Sequence, residues 1–313
     1  MKRSFPFLRN CEGMNAMATI ETVKTRIGTV ELLQSVVRTM KTLAAVNIRK
    51  QEKAIQTLAE YSRTIEMGLM ILLRQANGEI TGQPAADEGK LGAVILGSDQ
   101  GLCGRFNEQV VSFSMEQLRI LETCETHRHI LCVGGRAHIY LVESGEKVEK
   151  ILSAPVSVTG ILSAVNSILI TIDEWKSRLQ IERVVVLYNR LVYGTVCAPQ
   201  FLRLLPFDME SLRELSARPW PGPTIPIFTM DRNRLLSLLI RHSLFASLYL
   251  ALAESMAAEN ASRLASMQAA EKNIGERLDE LNLLFRDMRQ GAITEELLDI
   301  VAGFEAMTSG RTP

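Results

Sequence analysis

The sequence predicts an α/β protein in which two long helices, one at each end of the chain, form an antiparallel coiled coil. An α/β domain is inserted between these helices in the sequence. Two proline-free segments, 18–76 and 231–307, repeat apolar residues every three or four positions, which is the period of an amphipathic helix. Between them, short apolar runs alternate with helical patterns. Aromatic residues make up only 5% of the chain, which suits seams built from aliphatic and small side chains.

The C-terminal segment predicts the longest helix of the chain. Its periodic apolar positions are Leu235, Leu238, Leu239, Phe245, Leu248, Leu252, Met256, Leu264, Met267, Ile274, Leu278, Leu281, Phe285 and Met288. At its full length this helix extends on the order of 110 Å, so a second helix must cover its apolar stripe. Thr229 or Asp231 is placed to cap its first turn.

The N-terminal segment predicts the partner helix. Its periodic apolar positions are Ile20, Val23, Ile27, Val30, Leu33, Val37, Met40, Ala44, Ile48, Ile55, Leu58, Ile65, Leu69, Leu72 and Ala76. Two amphipathic helices at opposite ends of one chain favour an antiparallel hairpin. The alternative is a set of ordinary bundle helices separated by turns, but no Gly-Pro or Asn-Gly break interrupts either segment.

The middle of the chain, 78–228, predicts a Rossmann-like domain. Strands are predicted at 91–96, 130–135, 148–152, 183–188 and 201–206, and helices at 106–121, 137–143 and 159–179. Alternation of this kind is typical of a mainly parallel sheet. The coiled-coil helices are then 18–77 and 229–313, and residues 1–17 are expected to be a disordered extension, with Met17 as the initiator.

Composition excludes several classes of protein. The 35 basic and 35 acidic residues give a net charge of +0, whereas a nucleic-acid partner favours a basic excess. The five cysteines are odd in number and include no CxxC pair, which predicts a reducing compartment without a disulfide framework or a zinc site. No run of eighteen apolar residues occurs, so no membrane-spanning helix is expected.

A glycine-rich turn, 97–104, follows the first predicted strand and precedes a helix, which is where phosphates bind in many α/β proteins. Its spacing is not GxGxxG and no Gly-Lys-Ser/Thr follows. A tight structural turn at Gly101, Leu102, Cys103 and Gly104 is therefore the stronger interpretation, and a nucleotide site the weaker one. No histidine lies near Cys103 in the sequence, which disfavours a catalytic thiol.

Two further clusters have a plain and a functional interpretation. His127 and His129 lie between Cys124 and Cys132, but they straddle a helix end and a strand, so metal binding is disfavoured. The polar segment 289–296 near the end of the last helix, which contains Gly291, is either a frayed helix end or a surface that contacts a partner.

Three stretches, in the same order along the chain, resemble the gamma subunit of the F-type ATP synthase. The first is 27–50, with Arg38-Thr39-Met40-Lys41 and Leu43-Ala44-Ala45. The second is Ser98-Asp99-Gln100-Gly101-Leu102-Cys103-Gly104-Arg105-Phe106-Asn107. The third is Glu259-Asn260-Ala261-Ser262-Arg263-Leu264-Ala265-Ser266-Met267-Gln268-Ala269-Ala270, followed by Asn273, Arg289-Gln290, Ile293-Thr294 and Glu296. The resemblance covers nearly the whole chain after residue 17.

The chain also departs from the pattern of that family. Gln100 stands where a basic residue is usual, Arg105 replaces a common glycine, and Asn47 replaces a common lysine. The usual acidic-proline entry to the last helix is absent, and the neutral net charge contrasts with the basic charge common in the family. These departures indicate a divergent branch. The first residues form no Arg- and Ser-rich transit-like segment, which favours a bacterial member.

The resemblance implies a central rotor subunit with no catalytic residue, cofactor or metal of its own. Its expected partners are the catalytic alpha/beta hexamer, a small epsilon-type subunit and the membrane c-ring, and its expected location is the cytoplasmic face of the bacterial inner membrane. The residues expected to contact partner subunits are Arg38, Met40, Lys41, Arg289, Gln290 and Thr294.

Two other hypotheses remain open from the sequence. One is an α/β enzyme that binds a nucleotide at the turn 97–104 and dimerises through its helices. The other is a coiled-coil adaptor without a motor role.

Overall fold

The computed structural model describes residues 19–75, 89–121, 127–206, 214, 217, 219–220 and 226–309. The predicted extension, Cys11 and Cys124 lie outside these residues. The chain divides into two compact units: the larger is Lys41–Ser266, and the smaller combines Met1–Met40 with Met267–Pro313.

The order of the elements confirms the predicted arrangement of helix, α/β domain and helix. The terminal helices are α1, Ile20–Gln75, and α5, Arg232–Ser309. Between them lie β1 Leu91–Leu96, α2 Phe106–Ile120, β2 Arg128–Val133, α3 Gly135–Glu143, β3 Val148–Leu152, α4 Val158–Glu174, β4 Arg183–Tyr193 and β5 Val196–Leu205. A π-helical segment, Trp175–Leu179, continues α4. Asp231 caps α5, because its carboxylate accepts a hydrogen bond from the Arg234 amide at 3.0 Å.

The five strands form one sheet in the order β3-β2-β1-β4-β5. The first four are parallel, and β5 pairs antiparallel with β4. This confirms the expectation of a mainly parallel sheet. β1 is buried along its whole length, as expected of a central strand covered by helices on both faces.

Helices cover both faces of the sheet in the larger unit. On one face, side chains of β1, β2, α2 and α3 form a core that includes Ile95, Val110, Cys132 and Leu141. On the other, α4 and α5 pack on β1 and β4, and α5 contributes Leu248, Ala251, Leu252, Ala253 and Met256. The small side chains of Ala251 and Ala253 therefore let α5 pack close to the α/β domain.

In the larger unit, α1 and α5 lie antiparallel. Gln51 on α1 contacts Asn260, and Tyr61 contacts His242 through a 2.9 Å hydrogen bond between Oη and Nδ1. Further along α1, Gly68 lies against Leu239. Residue numbers rise along α1 while those of the contacting residues on α5 fall, which is the arrangement of an antiparallel hairpin. His242 takes part in this contact between the helices.

In the smaller unit, the inward positions of α1 follow an unbroken seven-residue repeat: Ile20, Val23, Ile27, Val30, Gln34 and Val37. The prediction that Leu33 and Met40 belong to this stripe was wrong, since they are 52% and 36% exposed. Leu33 and Gln34 lie three and four residues after Val30, so the spacing alone allows either to continue the stripe. The seven-residue repeat continues at Gln34, and that side chain is half-buried despite its polarity.

One described helix passes a test for a membrane span by length and composition alone. Arg232–Phe304 contains an 18-residue window with a mean hydropathy of 1.7, of which 22% is buried. One such helix is weak evidence, because core helices of soluble proteins pass the same test. The expectation that no helix spans a membrane stays a prediction.

Candidate functional site: the glycine turn and the outer faces of the terminal helices

The glycine turn that follows β1 is attached to α5. Ser262 Oγ donates a hydrogen bond of 2.5 Å to the carbonyl of Cys103. Gly104 has a φ of +57°, and a Cβ at this position would lie 2.9 Å from Ser266 Oγ. Glycine is required there both by the left-handed backbone and by the closeness of the helix. Leu102 also has a left-handed φ, of 60°, and exposes its side chain.

A polar network lies where the turn meets the two long helices of the larger unit. Arg263 contacts Glu259 Oε1 at 2.6 Å and the carbonyl of Gly101 at 3.4 Å. Asn260 donates to Gln51 Oε1 on α1 at 3.4 Å. Burial raises the pKa of Glu259 above its ordinary value, and the neighbouring Arg263 opposes that rise.

Asp99, in the glycine turn, accepts hydrogen bonds from two backbone amides of neighbouring segments. Its Oδ1 accepts a 2.7 Å hydrogen bond from the amide of Gly135, at the start of α3. Its Oδ2 accepts a 2.9 Å hydrogen bond from the amide of Ala154, just after β3. The Asp99 carboxylate therefore connects the glycine turn to the start of α3 and to the segment after β3.

The thiol of Cys103 belongs to the internal packing of the turn. It is 3.6 Å from Ser98 Oγ, from Asn107 Nδ2 and from the carbonyl of Gln100. Burial raises its pKa, and the hydrogen bond with Ser98 only partly offsets that effect. A buried thiol with a raised pKa is a poor nucleophile.

The predicted histidine and cysteine cluster is dispersed in its described part. His129 Nδ1 lies 2.8 Å from Glu149 Oε2, while Cys132 is buried in the sheet and burial raises its pKa to about 12. Among the described residues, no group of three or more His, Cys, Asp or Glu side chains could hold a metal ion.

The predicted subunit contacts of α1 lie on or near its outer surface. In the smaller unit, Arg38 is exposed and its Nε lies 3.0 Å from Glu271 Oε1 on α5, while Met40 projects outward. Lys41, in the larger unit, is half-buried. The sequence analysis did not identify the outer apolar residues Leu32 and Val36 and assigned Leu33 to the inner stripe, although a second apolar periodicity beside that stripe could have revealed all three.

The predicted contacts of α5 are exposed. Arg289, Gln290 and Thr294 are all on the surface of the smaller unit. The Thr294 hydroxyl donates a hydrogen bond to the carbonyl of Gln290 at 2.8 Å, so this polar segment is helical, and the Gln290 side chain is exposed. The helix continues through Gly291 and does not fray there.

Comparisons with known proteins agree with the sequence resemblance. A sequence model of the ATP synthase family matches residues 19–307. The ATP synthase gamma chains of Nitrosomonas europaea and Polynucleobacter asymbioticus are 26% and 27% identical to this chain. Each alignment covers 93% of this chain and 100% of the relative.

Solved structures share the fold. A chain in the cryo-EM structure of the Euglena gracilis mitochondrial ATP synthase rotor, in rotational state 1, has a TM-score of 0.61 at 15% identity, over 88% of this chain and 98% of that chain. A chain in the OSCP/F1/c-ring structure of the same enzyme, in rotational state 3, has a TM-score of 0.62 at 17% identity, over 94% and 96%.

The family match covers nearly the whole chain, and the elements follow the order helix, α/β domain, helix. Together they define a class of ATP synthase subunits in which a Rossmann-like domain lies between two terminal helices in the sequence. This agreement rests on the whole chain and not on one motif. The chain belongs to the ATP synthase gamma-chain family, whose members are central-stalk subunits.

Proposed function

We propose that this chain is the rotor shaft of a bacterial F-type ATP synthase. It transmits torque between an ion-driven membrane ring and three catalytic sites, so that ion flow is coupled to ATP synthesis or hydrolysis, and it regulates the ATPase activity of those sites. It catalyses no step itself. The single observation that carries the proposal is the exposed apolar surface on both terminal helices of a gamma-family chain.

That surface lies in the smaller unit, on both of its helices. On α1 the exposed apolar residues are Leu32, Leu33, Val36 and Met40. On α5 they are Leu283, Leu284, Ile293, Leu297, Leu298, Ile300, Val301 and Phe304. Exposed apolar residues at this density mark a surface that a partner protein covers.

A rotor shaft acts through contacts that differ from one catalytic site to the next. Each rotational position must stabilise one conformation of a catalytic site over the others, because a ligand shifts an equilibrium only by its difference in affinity for the two states. Movement of one ion through 100 mV releases about 2.3 kcal/mol. Several ions are therefore needed for each ATP, and a paired helix that resists twisting can carry their combined energy.

The proposal assigns partners to different parts of the chain. The catalytic alpha/beta hexamer surrounds the exposed helices, with Arg38, Met40, Lys41, Arg289, Gln290 and Thr294 among the contacts. The c-ring and an epsilon-type subunit bind at the α/β domain, on the cytoplasmic face of the inner membrane. The likeness to gamma chains of bacteria and to rotor chains supports this assignment.

The experiment is purification of the complex through a tagged copy of this chain, comparing the natural sequence with a Gln290→Ala/Thr294→Ala variant. The natural chain should recover one copy with an ATP-hydrolysing ring. The variant loses polar groups whose hydrogen bonds contribute about 1 kcal/mol each, so ion-driven ATP synthesis in membrane vesicles should fall about tenfold or more.

Gln56→Ala/Thr57→Ala is the matched control, because both residues are exposed and the Thr57 hydroxyl makes the same back-bond, to the Lys53 carbonyl at 3.0 Å. It should assemble and couple normally. Normal synthesis in the Gln290→Ala/Thr294→Ala variant would refute the contact assignment. Recovery of the chain alone or as a homodimer, without an ATPase ring, would refute the rotor function.

A further inference from the structure

We propose that one line of positions on α5 holds this helix at a fixed angle on the α/β domain and passes torque between the two. The line consists of positions spaced four residues apart: Glu254, Ala258, Ser262 and Ser266. That spacing places them on one side of the helix, over about 18 Å of its length, and all of them lie in the larger unit. The inference rests on the proposed rotor function and names the residues that would transmit the torque.

At the first of these positions, β4 engages both carboxylate oxygens of Glu254. Tyr188 Oη donates a 2.9 Å hydrogen bond to Oε2, and Arg190 Nε lies 3.2 Å from Oε1. Burial raises the pKa of Tyr188, and the nearby carboxylate adds to that rise, so the phenol stays a donor. The Glu254 side chain is only 9% exposed. A buried carboxylate is strongly destabilised when a partner is removed, which ties Glu254 to these two side chains.

The next two positions are joined to β5 and to the glycine turn. Cys197 Sγ, on β5, donates a 3.3 Å hydrogen bond to the carbonyl of Ala258. Ser262 Oγ donates to the carbonyl of Cys103, in the turn, at 2.5 Å. Together with β4, three segments of the α/β domain are therefore attached to the same side of α5.

Ser266 limits how far the glycine turn can shift along α5. A Cβ on Gly104 would lie 2.9 Å from Ser266 Oγ, so the turn approaches the helix as closely as a glycine permits. Arg263, one residue off the line, adds a 3.4 Å contact to the carbonyl of Gly101. The turn is thus fixed against α5 by hydrogen bonds and by steric contact.

Direction distinguishes these polar contacts from the apolar packing beside them. α5 also packs on the sheet through apolar side chains that include Ala251, Leu252 and Ala253, but hydrophobic burial is non-directional. A hydrogen bond weakens steeply as its angle departs from linear. Rotation of α5 by one residue, about 100°, would remove Glu254 from both of its partners. The polar line therefore sets the angle of α5, and torque applied to the α/β domain enters the helix through it.

The test compares the natural chain with a Tyr188→Phe/Ser262→Ala variant, each assembled with the catalytic ring. The two substitutions remove one hydroxyl each at separate points of the line and leave the apolar packing in place. With the ring fixed to a surface and a bead attached to the α/β domain, the spread of bead angles in a paused complex measures torsional stiffness. We expect the variance of that angle to rise at least about twofold. In membrane vesicles, the potential generated at an equal rate of ATP hydrolysis should fall.

Tyr61→Phe/Ser114→Ala is the matched control, because it removes the same two hydroxyls from contacts that do not join α5 to the α/β domain. Tyr61 Oη bonds to His242, and Ser114 Oγ donates to the carbonyl of Val110 within α2. The control should leave both the variance and the potential unchanged. An equal variance in the natural chain and the Tyr188→Phe/Ser262→Ala variant, or an equal rise in the control, would overturn the inference.

A second pair of variants, at Glu254, separates a positioning role from a loss of stability. Glu254→Leu loses both contacts to β4, whereas Glu254→Gln keeps an oxygen that can accept the hydrogen bond from Tyr188. The variance should increase from the natural chain to Glu254→Gln and again to Glu254→Leu. A variance that follows the urea midpoints of the variants and not the loss of these contacts would overturn the inference. Failure of the natural chain to assemble with a catalytic ring would instead refute the rotor function on which it rests.

Discussion

Gly97 in the glycine turn is packed so closely that adding one methyl group should lower the free energy of unfolding. In Gly97→Ala, the new Cβ would lie 2.2 Å from the Cβ of Ala137 on α3 and 3.0 Å from Asn107 Oδ1. Carbon atoms prefer separations near 3.5–4.0 Å, so α3 must move by more than about 1 Å. Overpacking of this kind costs about 1–3 kcal/mol.

The second contact adds to this cost. Asn107 Oδ1 accepts a 3.0 Å hydrogen bond from the Ser98 amide, and both groups are buried. Displacement of that oxygen by the new methyl group would remove about 1 kcal/mol. We therefore expect Gly97→Ala to lower the free energy of unfolding of the α/β domain by about 2–4 kcal/mol.

Urea unfolding measured by tryptophan fluorescence would check this value. The chain has two tryptophans, and in a Trp220→Phe background the buried Trp175 reports on the α/β domain alone. Gly101→Ala is the control, because its Cβ would come no nearer than 3.8 Å to the Arg136 side chain. Adding Ala137→Gly to Gly97→Ala should restore part of the lost stability. If Gly97→Ala is as stable as Gly101→Ala, the packing argument is refuted.

Two predictions follow from pKa shifts. Burial raises the pKa of Glu259 above 4.5, so the folded chain holds this proton more tightly than the unfolded chain does, and ionisation costs stability as the pH rises through the raised pKa. Urea unfolding at a series of pH values should show Glu259→Gln gaining stability relative to the natural chain above pH 4.5; a constant difference would contradict this. Burial raises the pKa of Cys197 to about 11 and that of Cys132 to about 12. At pH 8, peptide mapping should show iodoacetamide labelling both at least about tenfold more slowly in the folded chain than in urea, with half-buried Cys197 ahead of Cys132; equal rates in both states would contradict the burial.

The two long helices and the central strand of this fold could be predicted from the sequence. Proline-free helical periodicity predicted α1 and α5 to within a few residues, and a continuous apolar run predicted β1 with its observed bounds. These patterns repeat many times or have no competing interpretation. The start of β5 was missed by five residues, because Pro199 disfavours a strand. β5 lies at the edge of the sheet, where proline is tolerated.

Contacts between distant residues were beyond a single sequence. The structural role of the turn at 97–104 stays a prediction, and nothing in its spacing shows that Asp99 accepts hydrogen bonds from the amides of Gly135 and Ala154. The structure also brings residues near 50 on α1 next to residues near 157 at the start of α4. Positions so far apart in sequence share no periodicity, and only the packing of α1 and α4 within the larger unit brings them together.

The hydrogen bonds of Asp99 have a consequence for how the α/β domain depends on the concentration of free ligands. A free phosphate or nucleotide occupies its site only in proportion to its concentration and leaves at a finite rate. A carboxylate attached to the same chain is present at a high and fixed effective concentration, and Asp99 holds its two amides at 2.7 and 2.9 Å. These two amides therefore have their acceptor within the chain itself. The connection between the turn, the start of α3 and the residue after β3 does not depend on the concentration of any free ligand.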